Sequence, residues 1–499
     1  MDVEDPALMR RLLLLLVLLF AGRAHAHIGS PNVIYEGLAG PYPVRVIVRP
    51  PGVVPGQAEI SVRLLKGSAD RVTVLPVRYD TGSKGSPAPD VARPVKGEAS
   101  LYSAELWLMT SGAHSIFVNV EGIAGKGTTI VPINSVATTR LEMPKWYGAA
   151  LLAFGIFLAV SLVTIVGSAV RESMLRPGEV VRRKRPALIS MGIAVIVLSL
   201  LLFGGRKWWN SVDSDYRNNR LYKPEQVGAS IRHEGGQQIL RVERLDGPRG
   251  RPRLIPDHGK LMHLFLVRTP GQDAFAHLHP EHKEAHIYES VLPELPDGEY
   301  RLYADVTQES GFTQTLTARV IVPTREAVSA TAQLSDTDDS WLAKDGQGSS
   351  VRSMELSGGL KAEWLSGTAS FSANRESSLS FRIVDTNGTP AVLEPYLGMQ
   401  GHAVIEARDG SVFTHLHPFG NISMASQQRF VERERKNRQN LEVLCGLPNK
   451  GDSIVFPYEF PRPGAYRIWV QVKVAGEIRT AVFDTTVSDK STGALAARL

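Results

Sequence analysis

The sequence predicts a mainly β protein, with three immunoglobulin-like β-sandwich domains and two transmembrane helices in one chain of 499 residues. Three observations carry that expectation. Apolar and polar residues alternate through much of the chain, two long uncharged runs lie in its first half, and a His-bearing hairpin pattern occurs twice in its C-terminal half. Alternation with a period of two marks half-buried strands, whereas an amphipathic helix repeats every 3.6 residues or so. At about 150 residues per domain, the length allows about three folded units. Hydrophobic residues make up 43% and charged residues 21%, which suits packed domains plus a little membrane. The 45 Gly and 31 Pro fit many turns between short strands.

The first element is a signal peptide, residues 1–26. Arg10-Arg11 gives a basic flank, Leu12 to Gly22 a short apolar core, and Ala24-His25-Ala26 the small residues of a cleavage site. An uncleaved anchor is the alternative, since Asp2, Glu4 and Asp5 weaken the flank. Cleavage after Ala26 would leave His27 at the N-terminus, where amine and imidazole together can chelate copper. Residues 27–143 then read as the first sandwich. Val44–Arg49, Glu59–Leu64 and Ser115–Glu121 alternate as strands do, and Pro50-Pro51-Gly52 and Pro55-Gly56 punctuate them. His114, at the head of a strand, is expected to be structural.

Residues 146–170 and 187–205 carry no charge and are each long enough to cross about 30 Å of hydrocarbon as a helix. Between them, residues 171–186 hold Arg171, Arg176, Arg182, Arg183, Lys184 and Arg185. The positive-inside rule places that loop in the cytoplasm, and Trp146-Tyr147 and Trp208-Trp209 fall at the opposite interface. Both large regions are therefore expected outside, on the periplasmic side of a bacterial inner membrane. The formal charge of +6 reads as a topology signal, and nucleic acid is not an expected partner. Residues 206–224 form a polar juxtamembrane segment.

Two further sandwiches follow, at 225–323 and 355–490, joined by a Ser/Thr/Asp-rich linker at 324–354. They resemble each other. HGKLMHLFLVRTPGQDAFAHLHPE (258–281) precedes PDGEYRLYADV (296–306), and GMQGHAVIEARDGSVFTHLHPFG (398–420) precedes RPGAYRIWVQV (462–472). Duplication of a domain accounts for this pattern. In the second copy Asp409-Gly410 is a hairpin turn signal. Closing there sets His402 opposite His417 and Val404 opposite His415, so three imidazoles share one sheet face while Ala403, Ile405, Val412 and Leu416 point to the core. In the first copy a loop at 269–273 sets His263 opposite His279, with His277 one step along. The charged run 425–440 reads as a surface helix.

Three neutral imidazoles on a rigid hairpin suit copper or zinc, and Met262, Met399 or Met424 nearby would favour Cu(I). The candidate metal ligands are His263, His277, His279, His402, His415, His417 and His27. The competing expectation is that these histidines cap strands or bond to loops. His258, His282 and His286 add possible ligands in the first copy only, each taken alone reading as a solvated surface residue. Cys445 is the sole cysteine, so no internal disulfide forms, and it reads as a small buried hydrophobe.

The segments PYPVRVIVRPPGVVPGQAEISV (41–62) and ELWLMTSGAHSIFVNVEG (105–122) resemble the YtkA-like family of exported immunoglobulin-like domains. That resemblance, over about a hundred residues, implies a link to copper handling or oxidase assembly. The HLHP hairpins are similar to those of exported proteins described as metal-binding. A mature N-terminal His27 is similar to the ligand of copper-resistance proteins, although the Asp-x-His partner of that pattern is absent. The expected function is metal binding by a membrane-anchored periplasmic protein, serving copper acquisition, delivery or resistance. The alternative is a scaffold whose sandwiches bind a periplasmic or membrane protein partner. No G-x-S-x-G, H-E-x-x-H or phosphate loop points to an enzyme.

Overall fold

A computed structural model describes residues 32–172, 176–179, 184–225, 227–245, 252–284, 286–324, 335–343, 352–367, 370–435 and 452–489. The expected signal peptide, His27 and Cys445 lie outside the described residues. The chain is mainly β and divides into two compact units. One consists of Met1–Pro51, Pro55–Ser135 and Pro224–Leu499, the other of Gly52–Val54 and Val136–Lys223.

The smaller unit holds two long helices, Lys145–Glu172 and Arg185–Asp215. Both are long and apolar enough to cross a membrane. Their apolar side chains, among them Leu152, Phe157, Leu201 and Phe203, are exposed along almost the whole length. Such a surface is costly in water and ordinary in lipid. The second helix runs ten residues past Gly205, so much of the expected juxtamembrane segment is helical.

In the larger unit, the N-terminal strands form an eight-stranded sheet. Its strand Gly56–Leu64 buries every second residue, Gly56, Ala58, Ile60, Val62 and Leu64, while Gln57 and Glu59 stay exposed. That pattern is the sequence alternation made physical. The rest of the unit is built as two sheet pairs. One encloses Leu240, Leu264, Tyr300 and Leu316, and the other Phe381, Ile405, Phe456 and Ile468. Full burial of each such side chain is worth about 1.5–3 kcal/mol.

The two sheet pairs share one strand order. In the first, Thr313–Val322, Gly298–Gln308, His263–Arg268 and Ala274–Leu278 are successive neighbours. In the second, Glu477–Ser488, Gly464–Val474, His402–Ala407 and Phe413–Leu416 repeat it. They face each other across Phe265, Phe275 and Tyr303 of one and Val404, Phe413 and Trp469 of the other. Phe275 stacks on Trp469 at 4.9 Å, and Tyr303 on Phe413 at 4.0 Å. The buried Glu406 accepts hydrogen bonds from Arg301 Nε (2.7 Å) and Tyr303 Oη (2.6 Å) across this contact.

Two expectations need correction. The helix Met424–Arg435 is present, but it is no free surface helix: Gln427, Phe430, Val431 and Glu434 are buried. Phe430 meets Tyr79 of the N-terminal sheet edge to face, and Gln427 Nε2 donates to the Ile130 carbonyl at 2.6 Å. Charge on the outer face masked an apolar stripe. The described middle of the expected linker, 335–343, is also built in: Ser340–Ala343 pairs with Ala274–Leu278 as a further strand.

Candidate metal centre

Both hairpins take the register that alternation and turn chemistry require. Leu264 pairs with Leu278 and Phe265 with His277. Ala403 pairs with Leu416 and Val404 with His415. Leu264, Leu278, Ala403 and Leu416 therefore point into their own cores, and the histidines take the opposite faces. These are not open faces, because each is covered by the other sheet pair and all six side chains are buried. His263, His277 and His279 form one potential ligand group and His402, His415 and His417 a second, the ligand nitrogens of each lying within 4.8 Å of one another.

Hydrogen bonds fix which nitrogen is free in His263, His277 and His402. His263 Nε2 donates to the Asp257 carbonyl (3.1 Å), so its Nδ1 carries a lone pair. His277 Nδ1 donates to Gln471 Oε1 (2.9 Å), with Tyr396 Oη also near (3.1 Å), so its Nε2 is free. Those two free nitrogens face each other at 3.3 Å. His279 Nδ1 lies 3.0 Å from Asp339 Oδ1, and its Nε2 is buried without a partner. In the second group His402 Nε2 donates to the Tyr396 carbonyl (3.1 Å), and His402 Nδ1 faces His415 Nε2 at 3.0 Å. His415 Nδ1 lies 3.5 Å from Asp305 Oδ2. Both ring nitrogens of His417 are buried and unpartnered.

Facing lone pairs repel, and a buried unpaired nitrogen costs about 1–3 kcal/mol. A cation between them removes both penalties. Nitrogens bound tetrahedrally to one ion at about 2.0–2.1 Å stand about 3.3–3.4 Å apart, close to the separations seen. With an ion bound, Asp339 and Asp305 would stand behind ligating imidazoles and orient the rings.

Burial also holds the rings neutral. It lowers His263 to about 4, and it drives His277, His279, His402, His415 and His417 well below the usual histidine value, with neighbouring imidazoles adding to the effect. Burial pushes the Asp339 carboxyl up to about 7. Neutral imidazole is the ligating form.

The outer loops hold the second group in place. His417 and Gly420 exchange backbone hydrogen bonds at 2.7 and 2.9 Å, and Glu36 N donates to the Phe419 carbonyl at 2.7 Å. A side chain at Gly420 would collide with the Ile34 carbonyl, so this HLHPFG turn is seated on the N-terminal sheet.

His258, expected to be solvated, joins the cluster: its side chain is only 5% exposed. Its ring centroid lies 5.0 Å from that of His417, and its Nε2 is buried without a partner. Of the other histidines, His282 is exposed, His286 lies 3.3 Å from Glu243, and His114 is a buried residue bonded to the Gly112 carbonyl. The expected methionine contribution takes another form. Met262 is buried in the first hairpin's core, and Met399 and Met424 pack against the N-terminal core. Asp339, Asp305, Tyr396 and Gln471 carried no motif that sequence reasoning could use.

Comparison with known proteins adds a family without an assigned role. A family model described as a domain of unknown function (DUF8832) matches residues 356–489, the second sheet pair. None of the curated proteins matches. Among solved structures, the native conformation of Escherichia coli alpha-2-macroglobulin aligns over 92% of this chain and 23% of its own, at 9% identity and a TM-score of 0.20. Dimeric latent PorU from Porphyromonas gingivalis aligns over 92% and 34%, at 9% identity and a TM-score of 0.14. An ICAM-5 D1–D4 ectodomain fragment aligns over 92% and 84%, at 10% identity and a TM-score of 0.14. The chain thus spans about a quarter to a third of the first two proteins.

Proposed function

We propose that this chain is a membrane-anchored metal-binding protein whose histidine triads hold copper or zinc outside the membrane. The observation that carries the reading is the facing lone pairs of His263 Nδ1 and His277 Nε2 at 3.3 Å, in a cluster where His279 Nε2 and both His417 ring nitrogens are buried without a hydrogen-bond partner. Hydrogen bonds to the Asp257 carbonyl and to Gln471 leave His263 Nδ1 and His277 Nε2 nothing to do but accept. An uncharged, all-imidazole set suits copper and zinc far better than calcium or magnesium, which prefer oxygen.

The wider reading is of three immunoglobulin-like sandwiches, a cytoplasmic Arg-rich loop and a bacterial inner-membrane location. Copper acquisition, delivery or resistance is the proposed service, with binding rather than catalysis as the activity. The two apolar helices and the basic residues between them support the topology. An export-dependent reporter fused near residue 300 should be active and one near residue 178 inactive; activity at 178 reverses the orientation.

The metal itself is tested on the full chain purified in detergent, because Arg49–Glu459 and Arg45–Glu376 ion pairs tie the C-terminal sheets to the N-terminal one. Dialysis against Cu(II) or Zn(II) should leave bound metal. Replacing His277 and His279 together by Ala should lower the amount bound. Absence of metal under both conditions makes the histidines structural and leaves the scaffold reading in place.

A further inference from the structure

We propose that the two triads and His258 form a single centre that holds two metal ions side by side, rather than two separate mononuclear sites. This rests on the metal-binding reading above. Its basis is spacing. Two imidazoles on one tetrahedral ion have ring centroids about 5 Å apart, given metal–nitrogen bonds of about 2.0–2.1 Å. Within the first triad the centroids stand 4.6, 5.2 and 5.6 Å apart, and within the second 4.5, 5.1 and 5.2 Å. Between triads the separations are barely larger: His263 to His415 is 5.4 Å, His277 to His415 is 5.6 Å, and His277 to His402 is 6.3 Å.

His258 joins the halves. It stands 5.0 Å from His417 and 6.0 Å from His402 of one triad, and 6.2 Å from His263 of the other. Its Nε2 is buried without a hydrogen-bond partner, 3.7 Å from Asp257 Oδ1, and so is left to ligate. One ion would satisfy one triad and leave the buried, unpartnered nitrogens of the other unused. Two ions use every free nitrogen. The added positive charge meets Asp257, Asp305 and Asp339, which lie against His258, His415 and His279.

The probe is Cu(II), which binds nitrogen sites most tightly among the first-row divalent ions. The full chain in detergent is titrated with Cu(II) while bound metal and the EPR spectrum are followed. Two ions per chain are expected. The fully loaded spectrum should be broadened by dipolar coupling and show a half-field transition. The variant carrying His415→Gln and His417→Gln should bind one ion and show only the sharp spectrum of an isolated centre. Gln keeps a polar side chain of similar reach, and circular dichroism on the same sample reports its fold. The wild-type titration needs no variant. Two ions with uncoupled spectra would overturn the pairing, as would one ion per chain, and either result would leave the metal-binding reading intact. No bound Cu(II) would overturn both.

Discussion

The two histidine hairpins solve one problem with different local chemistry. The first closes through a loop at 269–273 whose left-handed residue is Gln272, φ 52°, and the second through a loop at 408–412 whose left-handed residue is Gly410, φ 73°. Both deliver three imidazoles to one buried face. Register is thus set by what the opposite face buries, with the turn only completing it. The difference lies behind the rings. Every imidazole of the first triad has a partner on its second nitrogen: the Asp257 carbonyl, Gln471 and Asp339. In the second triad His402 is held by the Tyr396 carbonyl, Asp305 stands off at 3.5 Å, and His417 has no partner at all. The first triad is pre-organised and the second can adjust, so the first is expected to bind an ion more tightly.

Acid should produce the largest effect, and it should strike both triads together because burial is common to them. An unfolded chain protonates its histidines below about pH 6.5. The folded chain protonates His263 only near pH 4, and burial holds the other five well below their usual value. Between these limits the six rings make the unfolded state bind more protons. They outnumber Asp339 and Asp305, whose carboxyls burial raises to about 7 with the opposite slope. On balance, stability of the metal-free protein therefore falls as pH falls from about 6.5 towards 4. For His263 alone a lowering from 6.5 to about 4 corresponds to roughly 3 kcal/mol. Denaturant midpoints measured across this range check the slope. A flat profile would mean that the rings already carry protons or are open to water.

The carboxylates give a sharper contrast. Asp339→Asn should weaken binding at the first triad about 10–100-fold, the usual cost of losing a partner behind a ligating imidazole. Asp305→Asn should cost less, because its contact with His415 is 3.5 Å long and its side chain is 27% exposed. Competition titrations with a chelator of known affinity read both. Equal losses would show that the two triads are equally braced, contrary to the hydrogen bonding.

Stability of the metal-free protein should respond to the two triads with opposite sign. His417→Leu removes two unsatisfied buried nitrogens and should stabilise by about 1 kcal/mol. His277→Leu leaves Gln471 Oε1 without the ring N–H and should destabilise by about 1–3 kcal/mol. Chemical denaturation after metal removal distinguishes them. Destabilisation by His417→Leu would mean that packing against Phe419, stacked at 5.1 Å, outweighs the polar cost.

Much of this centre was legible in the sequence because it is local. The H-x-H spacing puts His277 with His279 and His415 with His417 on one face, and the turn signal at Asp409-Gly410 agrees with the register that sets Val404 opposite His415. What escaped is non-local. His258 lies in an Asp-His-Gly-Lys turn with no period to read, and it reaches the cluster through a left-handed backbone, φ 51°. Asp339 arrives on a strand edge hidden in a Ser/Thr/Asp-rich stretch, where composition suggested a linker. That the two imidazole faces close on each other followed from no single repeat, since each looked complete with one core face and one polar face. The exposed apolar helices, by contrast, need only composition and length, and they appear where the uncharged runs lie.

The smallest effect expected tests whether the turn contributes to the second triad beyond register. Gly410 has φ 73°, a conformation that costs an L-residue about 1–2 kcal/mol. A Cβ there would also meet Arg301 Nε and Cζ at 3.1 Å. Arg301 cannot easily step aside, because its Nε donates to the buried Glu406 at 2.7 Å. Gly410→Ala should therefore destabilise the protein by about 1–2 kcal/mol while Ala403, Ile405 and Leu416, fully buried, keep the register. His402, His415 and His417 would stay on one face, so the number of ions bound should not change, and affinity at the second triad should move by no more than a few-fold. Equilibrium unfolding and a metal titration on the same sample measure the two quantities. Loss of an ion in Gly410→Ala would show that the turn, and not the buried face, sets the register of the second hairpin.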